Sequence, residues 1–327
     1  MTRRVVTVFG GSGFIGRQVV RRFAANGWTV RVAVRDPEAA AQLRPMGDPG
    51  QVNPLRAEIT DPDSVRRAVD GAQAVVNLVG ILFERGRASF EAIHHQGAAN
   101  VATAAREAGA ERLVQMSALG ADRNSASAYA RSKAAGEEAA QAAFPGATVI
   151  RPSVVFGPDD DFFNRFARLA VLSPVLPVFT GDGFKPVRSE SGWGIDLYGS
   201  GGATFQPVYV GDVAEAILRA VENPRLGGRV YELGGPRRYT LKEVLELVMR
   251  ETGRSRLLVP LPFWVARIQA ALLQMLPTPP LTPDQVKLLK VDNVVRGGKP
   301  GLVELGIQAT AAEAVTPAYL ARYRPHS

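Results

Sequence analysis

The chain has 327 residues, 46% of them apolar, enough for one large domain or two unequal ones. It has no cysteine and only three histidines, which excludes disulfides, thiolate zinc sites and cysteine-ligated iron–sulfur clusters and argues against a histidine metal site; any redox chemistry must come from a bound organic cofactor. The net charge of +8 points to an anionic partner, whether cofactor phosphates, a membrane surface, an acidic protein or nucleic acid.

The first strand-like run, VVTVF, begins at Val5 and leaves no room ahead of it for a signal or transit peptide, so the chain is expected to stay where it is made. The turn FGGSGFIGR leads from it into a helix predicted over residues 14–25 and stopped by Gly27. Gly10, Gly13 and Gly16 there permit a tight turn and close backbone approach, and the helix start offers free N–H groups and a positive dipole end to a pyrophosphate. Gly11, Gly13 and Gly16 satisfy the G-x-G-x-x-G string equally well, so spacing alone does not separate the two patterns. After the second run, TVRVAV, an acid would accept the ribose 2′-hydroxyl of NAD; the chain has Arg35 instead, then Asp36 and Pro37. A planar guanidinium suits a 2′-phosphate, and Arg17 supplies a second cation, so NADP(H) is expected over NAD(H); the alternative is a solvated Arg35 with Asp36 on the ribose.

The alternation continues through VNPLRAEI, AVVNLVG, a long helix predicted over residues 90–108, RLVQMSAL, a helix carrying Tyr129, and ATVIRPSVV. Such a sequence of strands and helices implies right-handed crossovers and a parallel sheet covered on both faces: an α/β, Rossmann-type doubly wound fold. Within SAYARSKAAG, Tyr129 and Lys133 stand four positions apart and therefore on one helix face. A cation beside a phenol favours the phenolate, so Lys133 is expected to lower the pKa of Tyr129 toward the range of a working acid. The same pair also suits a nucleotide clamp that turns nothing over.

Beyond Gly157 the pattern loosens. Residues 1–157 are expected to form the nucleotide domain, with part of 204–235 packing back on it, and 158–327 a smaller C-terminal lobe. Residues 181–202, rich in Gly and Ser, read as one long loop. Thr240 and Glu243 form a capping box that opens LKEVLELVMRETG, and Gly253 closes it. In PLPFWVARIQAALLQMLPTPP, large apolar residues run nearly all round a helix predicted over 263–276, apart from a narrow face of Arg267, Ala270, Ala271 and Gln274. It is too short and too interrupted for the roughly twenty apolar residues a bilayer demands. Lying against lipid or a membrane subunit is the expectation, with the cations that follow facing anionic headgroups; burial in the lobe's own core is the alternative. Nine cations against five acids beyond Arg250 make this the basic end. Without repeats, low-complexity tracts or like-charge blocks, no nucleic-acid arm is expected.

In this order FGGSGFIGR, NLVG, Ser117, Tyr129 with Lys133, RPSVVFGP and PVYVGDVA resemble the extended and atypical short-chain dehydrogenase/reductase superfamily over almost the whole chain. The resemblance implies Tyr129 as acid–base group, Lys133 as ribose ligand and Ser117 as the residue orienting a substrate oxygen. It also implies nucleotide contacts from Phe14, Ile15 and Arg17, from Asn77, Val79 and Gly80, from Ser117 and Lys133, and from Pro152 and Val155. Twelve positions separate Ser117 from Tyr129, fewer than sugar-nucleotide epimerases usually have, so their substrate loop is missing. A narrower set, LRPMGDPGQ, SALGADRNSASAYARSKAAGE, FQPVYVGDVA and LGIQAT, is similar to the dehydrogenase-like accessory subunits of respiratory complex I and their alphaproteobacterial counterparts. That likeness implies a tightly held NADPH without established turnover, complex I core subunits as partners at the junction of peripheral and membrane arms near the quinone entrance, and a peripheral position on the cytoplasmic side of the bacterial inner membrane. Residues 181–202 are longer than the family's usual link before FQPVYV. The intact Ser117, Tyr129 and Lys133 keep open a free-standing NADP(H)-dependent reductase or epimerase-like enzyme, and an NADP(H)-sensing regulator is the third reading.

Overall fold

Short valine-rich runs separated by helical patterns become a parallel sheet in the computed structural model, which describes residues 4–181, 185–189, 192–277 and 279–325. The chain divides into two units, one of Met1–Pro152, Val210–Leu233 and Arg296–Ala309, the other of Ser153–Tyr209, Gly234–Val295 and Thr310–Ser327.

The strands of the first unit are β1 (Val5–Phe9), β2 (Thr29–Val34), β3 (Val52–Arg56), β4 (Ala74–Asn77), β5 (Arg112–Met116), β6 (Thr148–Pro152) and a late strand, Val230–Leu233. They form one seven-stranded sheet in the order Val230–Leu233, β6, β5, β4, β1, β2, β3. Every pairing is parallel, with Val6 of β1 opposite Val30 on one side and Ala74 on the other. This is the doubly wound arrangement the sequence predicts. Val6, Val8, Val30, Val32, Val75 and Val76 are fully buried, as the inner strands of a sheet covered on both faces require. Pro54 lies in β3, the sheet's edge, where its missing N–H breaks no ladder. The winding reverses between β1 and β4, and the crevice beyond the carboxyl ends of those strands is where such sheets bind ligands.

The helices of this unit are α1 (Phe14–Ala25), α2 (Pro62–Val69), α3 (Gly97–Glu107) and α4 (Ala128–Ala143), followed by Val210–Glu222. The single helix expected over 90–108 is instead a π-helical turn, Glu91–Gln96, running into α3. The wider turn sits where α4 comes closest: a Cβ added to Gly136 would lie 2.1 Å from the His94 carbonyl oxygen. Such π-turns recur at functional sites. Arg151 of β6 pins α4 to the sheet by a two-pronged bond to Glu137, at 2.8 and 2.6 Å.

In the second unit, Val208–Tyr209 pairs with Val155–Phe156, Leu257–Pro262 with Val175–Thr180, and Thr204–Phe205 with Tyr239–Thr240. Phe156, Phe163, Leu241 and Val244 lie in the core these elements share with the helices Phe163–Leu172 and Leu241–Thr252. The capping box of Thr240 and Glu243 is present, and Gly253 ends the helix in the left-handed region. The long loop expected over 181–202 contains an antiparallel hairpin, Lys185–Ser189 with Gly192–Asp196, which gives the backbone groups of that stretch partners a structureless loop would lack; residues 182–184 and 190–191 lie outside the described residues.

The apolar helix of this unit runs Phe263–Leu273, three residues shorter than expected, with Gln274 as its C-cap. Only Ala266 and Ala270 are buried on it. Trp264 is 65% exposed, Ile268 55% and Leu272 68%, one turn apart along a single stripe that the helix's own lobe leaves uncovered, while Ala266 and Ala270 face the core. Met275 and Leu276 extend the exposed surface. Among the described residues no helix is long and apolar enough to cross a membrane.

Candidate functional site

The glycine turn between β1 and α1 has a different task at each glycine. Gly10 has φ +76°, a conformation that L side chains rarely adopt, and a Cβ there would press to 3.3 Å on the backbone of Leu78 and Val79 after β4. Gly16 is a close-packing position, since a Cβ would stand 2.2 Å from the Gly10 carbonyl oxygen. Gly13 is the N-cap of α1; it is exposed, in extended backbone, and makes no side-chain cap. Phe14 and Ile15 open the helix, and no acid stands in its first turn. Free N–H groups, a positive helix end and a cleared floor together fit the pyrophosphate of a dinucleotide. Arg17 reaches back along the turn, its Nη1 donating to the Ser12 carbonyl at 2.9 Å.

A second group forms where β4, β5 and α4 converge. The buried Asn77 amide donates to Gln115 Oε1 at 2.9 Å while its own oxygen accepts the Val79 N–H at 3.1 Å, fixing the strap that follows β4. Lys133 is buried and donates from Nζ to the Met116 carbonyl at 2.9 Å, directly before Ser117. A Cβ on Gly80 would come within 3.7 Å of that Nζ. Burial lowers Lys133 to a pKa of about 8, against the opposing pull of Glu137 one turn on. Ser117 Oγ is buried and has no hydrogen-bond partner, a hydroxyl left for something outside the chain to satisfy.

Tyr129 departs from expectation. Burial pushes its phenol up to about 12, the reverse of the lowering predicted from its neighbour Lys133. The helical spacing is as expected, but the ammonium is engaged with the Met116 carbonyl, so desolvation decides. Of the other expected contacts, Pro152 is buried at the end of β6 in the first unit and Val155 belongs to the second. Arg35 is exposed just past β2 and lines a cavity with Arg56 and Arg67. The carboxylate of Asp36 caps its own turn, accepting the Glu38 and Ala39 N–H groups at 3.1 Å.

His94 is the residue that sequence reasoning missed. Its Nε2 accepts the Ile81 N–H at 3.0 Å, which places the proton on Nδ1, 2.8 Å from Ser132 Oγ; that hydroxyl in turn donates to the Tyr129 carbonyl at 2.7 Å. Burial, then the Lys133 charge, hold its pKa at about 3, so the ring is neutral. It stacks on Phe90 at 5.3 Å and meets Tyr129 edge-on at 5.6 Å. The chain of bonds ties the strap after β4 to the helix carrying Tyr129 and Lys133. Its signal was a histidine within an apolar helical run, FEAIHHQGAANVA.

The sequence matches the NAD dependent epimerase/dehydratase family over residues 6–234, more than half its length. The chain belongs to this family. It is 35% identical to NADH dehydrogenase (ubiquinone) 1 alpha subcomplex subunit 9, mitochondrial, of Mus musculus, over 98% of this chain and 81% of the mouse protein. It is also 33% identical to the ceramide reductase of Caulobacter vibrioides, over 80% of this chain and 74% of the reductase. Among solved structures, the UDP-glucose 4-epimerase of Thermus thermophilus in complex with NAD shares the fold, with a TM-score of 0.69 and 21% identity over 99% of this chain and all of the epimerase.

Proposed function

We propose that this family member is an NADP(H)-binding accessory subunit of respiratory complex I, peripheral to the cytoplasmic face of the bacterial inner membrane. The observation that carries the reading is near full-length similarity to a subunit of that complex. The nucleotide lies over the Gly10–Gly13–Gly16 turn, with Lys133 toward the ribose and Arg35, helped by Arg17, toward a 2′-phosphate. The exposed stripe of Trp264, Ile268 and Leu272 docks at the junction of the peripheral and membrane arms near the quinone site, and Arg267, Lys287 and Lys290 suit anionic headgroups there. A buried phenol raised to about 12, and a lysine engaged with a backbone carbonyl, support a cofactor held rather than turned over. Such a ligand is still useful: one that binds only the native state at a hundred times its dissociation constant adds about 2.7 kcal/mol of stability.

The test is nucleotide affinity. NADPH is expected to bind tighter than NADH, and Arg35→Ala to weaken NADPH more than NADH by about 1.5–3 kcal/mol, the scale of charged hydrogen bonds. Equal affinities in the unmodified protein remove the NADP(H) claim.

The similarity to a ceramide reductase favours a second reading, a free-standing NADP(H)-dependent reductase with Ser117, Tyr129 and Lys133 at work. Substrate-dependent NADPH oxidation by the isolated chain, abolished in Tyr129→Phe, selects it.

A further inference from the structure

Beyond the carboxyl ends of β2 and β3 lies a cavity of about 590 Å³, within the usual span of small-ligand sites, roughly 300–1,000 Å³. Three arginines line it: Arg35 just after β2, Arg56 at the end of β3, and Arg67 on α2. The sheet register sets Arg56 opposite Val34, the residue before Arg35. None of the three guanidiniums makes a hydrogen bond or ion pair with any described residue. The acids on the same wall are engaged locally instead. Asp61 caps α2 by accepting the Asp63 N–H, and Glu58 Oε1 accepts from the Thr60 hydroxyl at 3.4 Å.

Three guanidiniums line the cavity against two carboxylates and pair with neither, so an excess of positive charge and a full set of donors face the space, an arrangement that a bound polyanion satisfies. Guanidinium forks match phosphate oxygens in pairs, and a phosphate monoester, with nearly two negative charges and three terminal oxygens, can engage more than one fork. A ribose carrying only hydroxyls would leave those donors and that charge unanswered. We infer that Arg56 and Arg67 join Arg35 in a three-arginine clamp for the 2′-phosphate of NADP(H), and are further determinants of cofactor specificity. The inference rests on the NADP(H) reading above and assigns two residues that reading does not include.

The test is calorimetric titration of the full chain with adenosine 2′,5′-bisphosphate and with 5′-AMP, which differ only in the 2′-phosphate. The unmodified protein is expected to prefer the bisphosphate, with a preference that shrinks as salt rises. Arg56→Gln and Arg67→Gln are each expected to cut the preference by about fivefold or more, with 5′-AMP affinity falling much less and the melting temperature, a check on folding, unchanged. Arg67→Lys, which keeps the charge and loses the fork, should fall between. If both Gln variants keep the full preference and Arg35→Gln alone loses it, the clamp is overturned and the NADP(H) reading stands. If the unmodified protein shows no preference, the NADP(H) reading fails and the clamp with it.

Discussion

Replacing Trp264 and Leu272 with aspartate separates a docking helix from a core helix. About two-thirds of each side chain is exposed, 65% and 68%. A tryptophan offers about 150–250 Å² and a leucine about 1.5–3 kcal/mol on full burial, so at about 25 cal/mol per Å² the exposed portions could contribute about 3–6 kcal/mol if fully covered on docking. Since interfaces realise only part of such area, the lower end is the safer expectation: about 3 kcal/mol, or roughly a hundredfold in affinity. The fraction already buried is worth about 2 kcal/mol to the isolated fold, against a typical total of about 5–15. The double variant should therefore unfold only a few degrees below the unmodified protein and keep its NADPH, yet leave the membrane fraction and fail to co-purify with the quinone-reducing complex. Loss of folding and nucleotide together would mean the helix belongs to its unit's core. Unchanged co-purification would place the docking surface elsewhere.

In a structural subunit, Tyr129→Phe should leave NADPH binding, assembly and quinone reduction near normal, whereas Lys133→Met should weaken NADPH, because a ribose contact acts in the ground state and a phenolic acid only when a proton moves. With Lys133 at about 8 in the free protein and its charged form the ligand, NADPH affinity should hold below that pH and fall above it, a dependence absent in Lys133→Met; titrations across pH 7–10 check both. Gly13→Val should lose nucleotide with little change in melting temperature, while Gly16→Ala, its Cβ 2.2 Å from backbone, should destabilise the fold itself by at least about 1–3 kcal/mol. His94, held near 3 when folded against 6.5 ordinarily, contributes stability that is present above pH 6.5 and lost as pH falls toward 3, at most about 5 kcal/mol. The acid slope of chemical unfolding should be shallower in His94→Gln, and equal slopes would reject the neutral buried imidazole.

The sheet was legible because valine runs and glycine punctuation are local signals, and the glycine turn because its glycines stand between a strand and a helix. The two overlapping glycine patterns could not be separated by spacing; in the structure Gly10 carries the positive φ, Gly11 is a packing position where a Cβ would lie 2.7 Å from Val32 Cγ1, and Gly16, common to both patterns, makes the close backbone contact. The direction of the Tyr129 shift was misread because helical spacing says which residues share a face, not where a lysine ends; Nζ goes to Met116, and burial then governs the phenol. His94 stayed hidden because its partners, Ile81 and Ser132, come from distant segments. The same holds for Arg56 and Arg67, whose convergence with Arg35 depends on strand register and the placement of α2.

Membership in respiratory complex I is tested by purifying the quinone-reducing complex from the organism's own membranes and assaying it for this chain and for bound nucleotide. The chain should be present in stoichiometric amount, carrying NADPH that stays reduced and bound through turnover of the complex. A complex free of the chain, with the isolated protein oxidising NADPH against a carbonyl substrate, would contradict that membership.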